Sequence, residues 1–297
     1  YEINAIRRHI SALNGGMLAK RIEDRGAELI GFGISDAVGT PATGDIGIPF
    51  AKYSSTPMGP DKTTLDDARN VIKKYDVAER LPKRVVDFIM NAGPEYETPK
   101  AFDNNTYYLL NTLPDSCIYA KQISEKMGLN TIILTSFLEG ESRDAGTFFA
   151  SIAREIQQYG NPVKPPCVIL SSGEVTTLIT DNKTIKGHGG PSQELTASFA
   201  IAAEKAPGAC MYSMDSEGTD GTTPVAGGIT DSTTADLAKK TDVDITASLR
   251  GHSCYEALSA LGDAVFTGNT GTNLCDLNIL YVPELDKEKK EDSYSGR

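Results

Sequence analysis

Residues 28–36 read ELIGFGISD, an apolar run that ends in Ser35 and Asp36. A short apolar run bounded by polar residues is typical of a buried strand, and open α/β sheets bind ligands outside the carboxyl ends of their strands. The stretch therefore predicts an α/β fold with Ser35 and Asp36 at the ligand-binding end of a strand. An Asp in this position is also a common turn former or helix cap, so both interpretations of Asp36 stay open.

On either side of this strand the pattern predicts further helices and strands. A stripe of Ile3, Ile6, Ile10 and Leu13 predicts a helix before it, and residues 37–64, rich in Gly, Pro, Thr and Ser, predict a long loop. Later segments alternate, with strands at 131–135, 167–170, 175–180, 209–214 and 277–282, and helices at 142–159, 191–206, 233–239 and 253–261. The alternation predicts a two-domain α/β protein with mixed sheets flanked by helices.

A Pro, Glu and Thr segment at 93–100 divides the chain in this interpretation. Residues 1–100 are predicted to be the remainder of an N-terminal α/β domain, because the chain starts at Tyr1 without an initiator Met and enters a helical pattern at once. Residues 101–283 are predicted to form a C-terminal α/β domain. Residues 284–297 are charged and aperiodic, and predict a disordered tail.

The composition of the chain argues against nucleic-acid-binding, membrane-spanning and zinc or redox proteins. A net charge of −11 disfavours nucleic-acid binding, since that affinity comes mainly from clustered Lys and Arg. No apolar run approaches the roughly 20 residues that span a bilayer. The five cysteines are widely spaced and form no CxxC pair, which predicts free thiols in the cytoplasm rather than a zinc or redox site. A small anionic ligand remains compatible with this charge, because its site needs only a few local donors and a metal ion.

Three further segments gather Gly, hydroxyl and carboxylate groups where strands end or helices begin. Residues 186–194, KGHGGPSQE, place a glycine-rich loop before a helix, a position that suits anions or serves as a plain turn. Residues 215–228 begin DSEGTDG, whose acids repel one another unless a cation such as Mg²⁺ lies among them or the turn is simply solvated. Residues 266–276, FTGNTGTNLCD, can wrap a polar ligand or stabilise a tight turn.

Together these segments resemble the glycerate 2-kinase family, whose C-terminal part is the MOFRL domain. The resemblance covers nearly the whole chain and rests on these matching elements in this order: Gly15-Gly16, 35–39 (SDAVG), 55–57 with 60–61, 173–176, 189–194, 218–221, 226–227, and 267–273 with Asp276. It implies transfer of the γ-phosphoryl group of ATP to a hydroxyl of D-glycerate, assisted by Mg²⁺, in a cleft between two α/β domains.

The resemblance also implies residue roles. Asp36 and Asp220 are the implied catalytic residues, and Asp215, Glu217 and Asp220 the implied metal ligands. The implied substrate or phosphate site consists of Ser35, Gly187, His188, Gly189, Gly190, Gln193, Glu194, Thr219, Thr270, Thr272 and Asn273. The expected partners are a small anionic substrate and a nucleotide, with neither nucleic acid nor membrane, and the expected assembly is a homodimer.

Four positions depart from the family pattern. Asn14 and Pro191 stand where family members carry Lys and Arg, and Thr40 and Glu217 stand where Asp is common. The two absent positive charges motivate an alternative, a catalytically degenerate relative that binds a sugar acid or nucleotide. A third candidate is a hydroxypyruvate reductase, a label that some family members carry. No GxGxxG segment follows a predicted strand here, which disfavours a nicotinamide site.

Overall fold

The computed structural model describes residues 2–43 and 56–285. The chain forms two compact units that divide between Thr112 and Leu113. The sequence predicts this boundary about 12 residues earlier, near residue 100. The strand at Asn105–Thr112 lies between the two positions, and it belongs to the first unit because it pairs with a strand there. Ser55 and most of the predicted tail at 284–297 lie outside the described residues.

The described residues of the first unit, 2–43 and 56–112, form four α-helices and two strands. The helices are α1 (Asn4–His9), α2 (Met17–Glu23), α3 (Leu65–Lys74) and α4 (Lys83–Asn91), and the strands are β1 (Leu29–Ser35) and β2 (Asn105–Thr112). β1 confirms the strand predicted from residues 28–36. The two strands are parallel, and Tyr107 of β2 lies against Gly31 and Gly33 of β1, where an added Cβ would overlap its ring or hydroxyl. Glycine is thus required in β1 by the packing of one tyrosine.

The core of the first unit lies between α1, α3 and α4. Its fully buried members include Ile6, Ala68, Ile72 and Ile89. Only Ile6 of the predicted apolar stripe is buried, whereas Ile3, Ile10 and Leu13 are exposed, because α1 ends at His9. α3 begins with a capping box in which Thr64 and Asp67 each satisfy the other's backbone N–H.

A buried polar network joins α1 to the segments at 61–63 and 97–100. Arg8 Nη1 lies 3.0 Å from Asp61 Oδ1, and the two side chains are 4% and 0% exposed. The Asp61 carboxylate also accepts bonds from the backbone and hydroxyl of Thr63 and from the Thr98 hydroxyl. Nearby, His9 Nε2 lies 2.8 Å from Glu97 Oε1.

The lowered pKa of Glu97 should make the stability of the protein depend on pH in acid. Its partial burial opposes ionisation, but bonds from His9, Lys100 and the Leu65 backbone lower its pKa to about 2. Because the pKa is depressed on folding, its stabilising contribution is complete above the unfolded value of 4.5 and is lost as pH falls toward 2. We expect Glu97→Gln to flatten the acid limb of unfolding free energy against pH, measured by urea denaturation. The matched substitution Glu95→Gln, on an exposed neighbour, should leave that limb unchanged; equal curves for Glu97→Gln and the wild type would contradict the assignment.

The second unit contains six helices and six strands among its described residues. The helices are α5 (Leu113–Lys126), α6 (Ser142–Tyr159), α7 (Pro191–Ala202), α8 (Thr234–Lys240), α9 (Ile245–Arg250) and α10 (Cys254–Leu261). The strands are β3 (Asn130–Glu141), β4 (Cys167–Thr176), β5 (Cys210–Asp215), β6 (Gly227–Asp231), β7 (Ala264–Val265) and β8 (Asp276–Val282). They form one sheet in the order β3-β4-β8-β5-β6-β7. β3 runs parallel to β4 and the other neighbours are antiparallel, so the predicted mixed sheet is confirmed.

Helices cover both faces of this sheet. α6 and α7 pack on one face through Phe149, Leu195 and Phe199, which meet Met211 and Leu280 of the sheet, all at most 1% exposed. Cys117 of α5 packs on the other face against Val168 and Leu170 of β4. Because helices cover both faces at these strands, water is excluded from the core. This burial of apolar surface is the main term that stabilises such a layered fold.

Two features bear on the class of protein. No helix of residues 2–43 and 56–285 is long and apolar enough to cross a membrane. All five cysteines are free thiols, four of them buried, as the sequence predicts.

Candidate functional site

The amino end of α7 is occupied by a carboxylate of the protein itself. Asp220, 2% exposed, accepts hydrogen bonds from the backbone N–H of Ser192 at 3.2 Å and of Gln193 at 2.9 Å. These are the second and third residues of the helix, whose N–H groups have no partner within it. The sequence predicts that this helix end is open to a phosphate; in the structure, Asp220 takes these two donors.

Gln193 completes the same contact from the helix side. Its Nε2 lies 2.8 Å from Asp220 Oδ2 and 3.0 Å from Thr223 Oγ1, and the residue is fully buried. The loop that follows β5 is therefore held against α7 by both oxygens of one carboxylate. Gln193 lies beneath the surface in this arrangement and positions the loop.

Two glycines make this contact sterically possible. A Cβ on Gly190, the residue before α7, would overlap the Asp220 carboxyl group, and a Cβ on Gly221 would overlap the Gly189 carbonyl oxygen. Gly221 also has φ of +63°, which disfavours other residues. The glycine-rich segments 186–190 and 218–221 thus approach each other main chain to main chain.

Gly190→Ala tests this contact without straining the backbone, because φ at Gly190 is −157°. The added methyl group must displace the Asp220 carboxylate from α7, and we expect the free energy of unfolding to fall by about 2 kcal/mol, as for overpacked sites. Differential scanning calorimetry measures the loss. In the Asp220→Ala background the same methyl group has room, so its cost should be much smaller; an equal cost in both backgrounds would show that no clash with Asp220 exists.

A group of acids at the strand ends carries perturbed ionisation. Burial raises the pKa of Asp276 to about 8, with Asp220 and Asp215 adding to the shift. Burial also raises the pKa of Asp220 to about 6, against the bonds from Gln193 and Ser192. Asp215 and Asp276 are directly paired in neighbouring strands β5 and β8. Such clustered perturbation is typical of functional sites, although buried structural networks produce it too.

The predicted metal ligands do not form one cluster. The described residues contain no group of three or more His, Cys, Asp or Glu side chains that could hold a metal ion. Asp215 accepts a bond from the Glu217 backbone, Glu217 from the Thr219 hydroxyl, and Asp220 from α7. The Asp220 oxygens thus use part of their acceptor capacity on the backbone of α7. Asp215 and Glu217 are only partly buried.

The structure does bring together the turn after β5 and the loop before β8. Ser216 N donates to Cys275 O at 3.0 Å, and Leu274 N donates to Ser216 Oγ at 2.6 Å. Thr270 and Asn273 bond to the 216–217 turn through the Ser216 carbonyl and the Glu217 carboxylate. Thr219, Thr270 and Asn273 are exposed and Thr272 is partly exposed, so their polar groups reach the surface.

Gly187 and His188 lie against α10 and the residue that precedes it. His188 is exposed, and its Nδ1 lies 2.8 Å from Glu256 Oε1, which also accepts the His188 backbone N–H. Glu194, in contrast, is 1% exposed and its Oε1 lies 2.7 Å from His252 Nδ1. The sequence alone indicates no role for Glu256 or His252. The latter is 58 positions from Glu194, and no local pattern links them.

Ser35 and Asp36 belong to the first unit. Ser35 is fully buried and its Oγ lies 2.9 Å from Thr40 Oγ1, while Asp36 is exposed after the end of β1. Thr40 thus supports the turn through a hydroxyl at the position where Asp is common in the family. The remaining predicted site residues all belong to the second unit.

Comparison with known proteins identifies the family. The sequence model of the MOFRL family matches residues 167–276, and that of a domain of unknown function, DUF4147, matches residues 1–90. A glycerate 2-kinase of Pyrococcus horikoshii is 37% identical over 95% of this chain and 61% of its own length. An Agrobacterium vitis protein named as a putative hydroxypyruvate reductase is 31% identical over 95% of this chain and 69% of its own.

A solved structure agrees with these relatives. The crystal structure of glycerate kinase from Thermotoga maritima superposes with a TM-score of 0.79 at 34% identity, covering 95% of this chain and 63% of that one. The chain belongs to the glycerate 2-kinase family of MOFRL-domain proteins, as its sequence predicts. It spans about three fifths of the length of the glycerate 2-kinase relatives it matches.

Proposed function

We propose that this chain catalyses ATP-dependent phosphorylation of a short hydroxy acid, with D-glycerate converted to 2-phosphoglycerate. Its relatives in Pyrococcus horikoshii and Thermotoga maritima carry glycerate 2-kinase names. The proposal rests on one observation. Hydrogen bonds join three distant segments, 186–194, 215–223 and 267–276, at the end of the second unit's sheet where β5 ends and β8 begins. These are the glycine- and hydroxyl-rich segments on which the resemblance rests.

The proposed roles follow from exposure and bonding. Thr219, Thr270, Thr272 and Asn273 reach the surface and would bind phosphate or substrate oxygens, as would His188. The Thr219 and Thr270 hydroxyls would exchange their present bonds to Glu217 and Ser216 for bonds to the ligand. Gly187 and Gly189 would let an anion approach the main chain closely, whereas Gly190 makes room for the Asp220 carboxylate. Asp220, Gln193 and Glu194 are buried and would position these segments. Ser35 and Asp36, which belong to the first unit, remain predicted site residues.

ATP is the proposed phosphoryl donor, and Mg²⁺ its companion. Mg²⁺ in such enzymes is bound through one or two carboxylates together with substrate phosphates, and needs no cage of protein ligands. Asp215 and Glu217 are partly exposed and would supply those carboxylates. When bound, the ion neutralises charge on the phosphates.

The test is ADP release by the purified chain with ATP, Mg²⁺ and a panel of short hydroxy acids. We expect release that requires both Mg²⁺ and D-glycerate and is weaker with L-glycerate. No turnover over the whole panel would reject the kinase. In that case, calorimetric binding of D-glycerate or ATP would support the degenerate relative.

A second candidate, hydroxypyruvate reductase, is motivated by the name of the Agrobacterium vitis relative. It predicts oxidation of NADH or NADPH by hydroxypyruvate, followed at 340 nm in the same preparation. The five free thiols support a reducing compartment such as the cytoplasm. The cytoplasmic location and the homodimer remain predictions.

A further inference from the structure

Each of the three histidines of the chain pairs with a glutamate, but the pairs differ in their exposure and in whether the second ring nitrogen has a partner. Both ring nitrogens of His9 have partners, Ala5 O at 2.7 Å and Glu97 Oε1 at 2.8 Å. His188 forms an exposed pair with Glu256. In the third pair, the His252 and Glu194 side chains are 8% and 1% exposed.

The His252 ring is bonded on one side only. Its Nδ1 lies 2.7 Å from Glu194 Oε1, and within residues 2–43 and 56–285 no hydrogen bond reaches its Nε2. Nε2 is not fully buried and keeps some contact with solvent. A carboxylate on Nδ1 holds the proton there and leaves the lone pair on Nε2, the arrangement of an oriented base.

His252 borders the glycine-rich segment of the candidate site. Lys186 N donates to Gly251 O at 2.7 Å, and Tyr255 N donates to His188 O at 3.0 Å. A Cβ on Gly189 would lie 3.5 Å from His252 O. The turn that carries His252 therefore flanks segment 186–190.

The backbone at His252 is held in an unfavourable conformation, with φ of +52°. A non-glycine residue stays in this left-handed region only when the surrounding contacts demand it. Here the buried bond to Glu194 and the two main-chain bonds around the turn meet that requirement.

Several charged groups lie near the pair. Besides Arg143 and Glu141, Asp220 and Glu256 are close enough to Cys254, two residues after His252, to add to the burial that raises the pKa of its thiol. Glu194 Oε2 lies 3.7 Å from Arg143 Nε and has no hydrogen-bond partner among the residues that the structure describes. Arg143 Nε lies 3.1 Å from Glu141 Oε1. Burial raises the pKa of Glu194, whereas His252 and Arg143 oppose that shift and Glu141 adds to it. Glu194 is thus the titratable partner in direct contact with the ring, with Arg143 and Glu141 beyond it.

We propose that His252, oriented by Glu194, is the general base that accepts the proton of the hydroxyl group being phosphorylated. The inference deepens the proposed kinase function and rests on it. In the step, the hydroxyl O–H bond breaks and its proton forms a bond with Nε2. The oxygen bonds to the γ-phosphorus of ATP as the bond between that phosphorus and the bridging oxygen breaks, and its electron pair leaves with ADP. His252 then returns the proton to solvent, and Glu194 acts as a positioning residue.

His252→Asn separates catalysis from structure. The Asn amide can replace Nδ1 as donor to Glu194, and Asn tolerates positive φ, but it offers no basic atom in place of Nε2. We expect kcat to fall about 100-fold with little change in KM for D-glycerate, since general base catalysis contributes this much or more. The acid-side decline of the wild-type rate should vanish in the variant. The matched control Asp236→Asn, an acid-to-amide change on the exposed surface of α8, should leave rate and profile unchanged.

A second measurement does not need turnover. The ¹⁵N spectrum of histidine-labelled full chain contains three imidazoles, and saturating D-glycerate should shift Nε2 of His252 while leaving His9 in place. Two outcomes with an active wild type would show that His252 is not the base, without affecting the proposed kinase activity. One is an unchanged kcat and pH profile in His252→Asn, and the other is the absence of a shift at Nε2 when D-glycerate binds. Absence of both turnover and glycerate binding in the wild type rejects the kinase and the base together.

Discussion

Replacing Asp220 with alanine should lower the free energy of unfolding by about 2–4 kcal/mol, because the donors it serves at the buried start of α7 lose their acceptor. These are the N–H groups of Ser192 and Gln193 and the Gln193 amide. Segments 186–190 and 218–221 would also lose their shared anchor. Displacements of about 1 Å in a positioning segment cost around 100-fold in rate, so we expect D-glycerate-dependent ADP release to fall at least that much.

Asp244→Ala is the matched control for this prediction. Asp244 is an exposed local cap that accepts one bond, from Ala247 N of α9. Its removal should cost about 1 kcal/mol, as for an ordinary N-cap, and leave activity intact. Urea denaturation and the ADP assay measure both variants. Equal losses from the two substitutions would refute the special position given to Asp220.

Asp61→Ala should have the largest effect on the first unit. The substitution removes the carboxylate that faces Arg8 in a nearly water-free position and leaves the Thr63 and Thr98 hydroxyls without this acceptor. Breaking a buried ion pair on one side typically costs about 3–5 kcal/mol, because the remaining charge stays desolvated. We expect the transition of the first unit in a urea titration to shift by this amount.

Two comparisons isolate the buried charge as the cause. Asp24→Ala breaks the exposed pair between Asp24 and Lys20, whose side chains are 57% and 47% exposed, and should change stability by less than about 1 kcal/mol. Joint replacement of Arg8 by Met and Asp61 by Leu should recover much of the loss, since it leaves no charge behind. A double variant as unstable as Asp61→Ala would point to lost hydrogen bonds instead.

Elements with one strong periodic signal could be predicted well from the sequence. The helix predicted at 142–159 is α6, and the helix predicted to start at Pro191 is α7, which continues as a 3-10 turn beyond Ala202. The predicted separate strand at 175–180 is wrong, because β4 runs unbroken to Thr176. Ser171 and Ser172 interrupt its apolar pattern, yet they are fully buried between neighbouring strands β3 and β8.

Contacts between distant segments could not be predicted in the same way. The sequence places Asp220 in an acidic turn, and repulsion among its acids indicates a metal; the structure shows that helix N–H groups 27 and 28 positions earlier supply the positive partner. The pairing of His252 with Glu194 is equally nonlocal. β2 and α5 were missed because their apolar residues are interrupted by polar ones in segment 105–126.

The most direct test of the central claim is the identity of the product, read by ³¹P NMR in a reaction of this chain with ATP, Mg²⁺ and D-glycerate. We expect the γ-phosphoryl signal of ATP to be replaced by the signals of ADP and of a phosphomonoester, the latter split into a doublet by the single hydrogen on C2. A triplet from phosphorylation at C3, inorganic phosphate as the sole product, or unchanged ATP would contradict it.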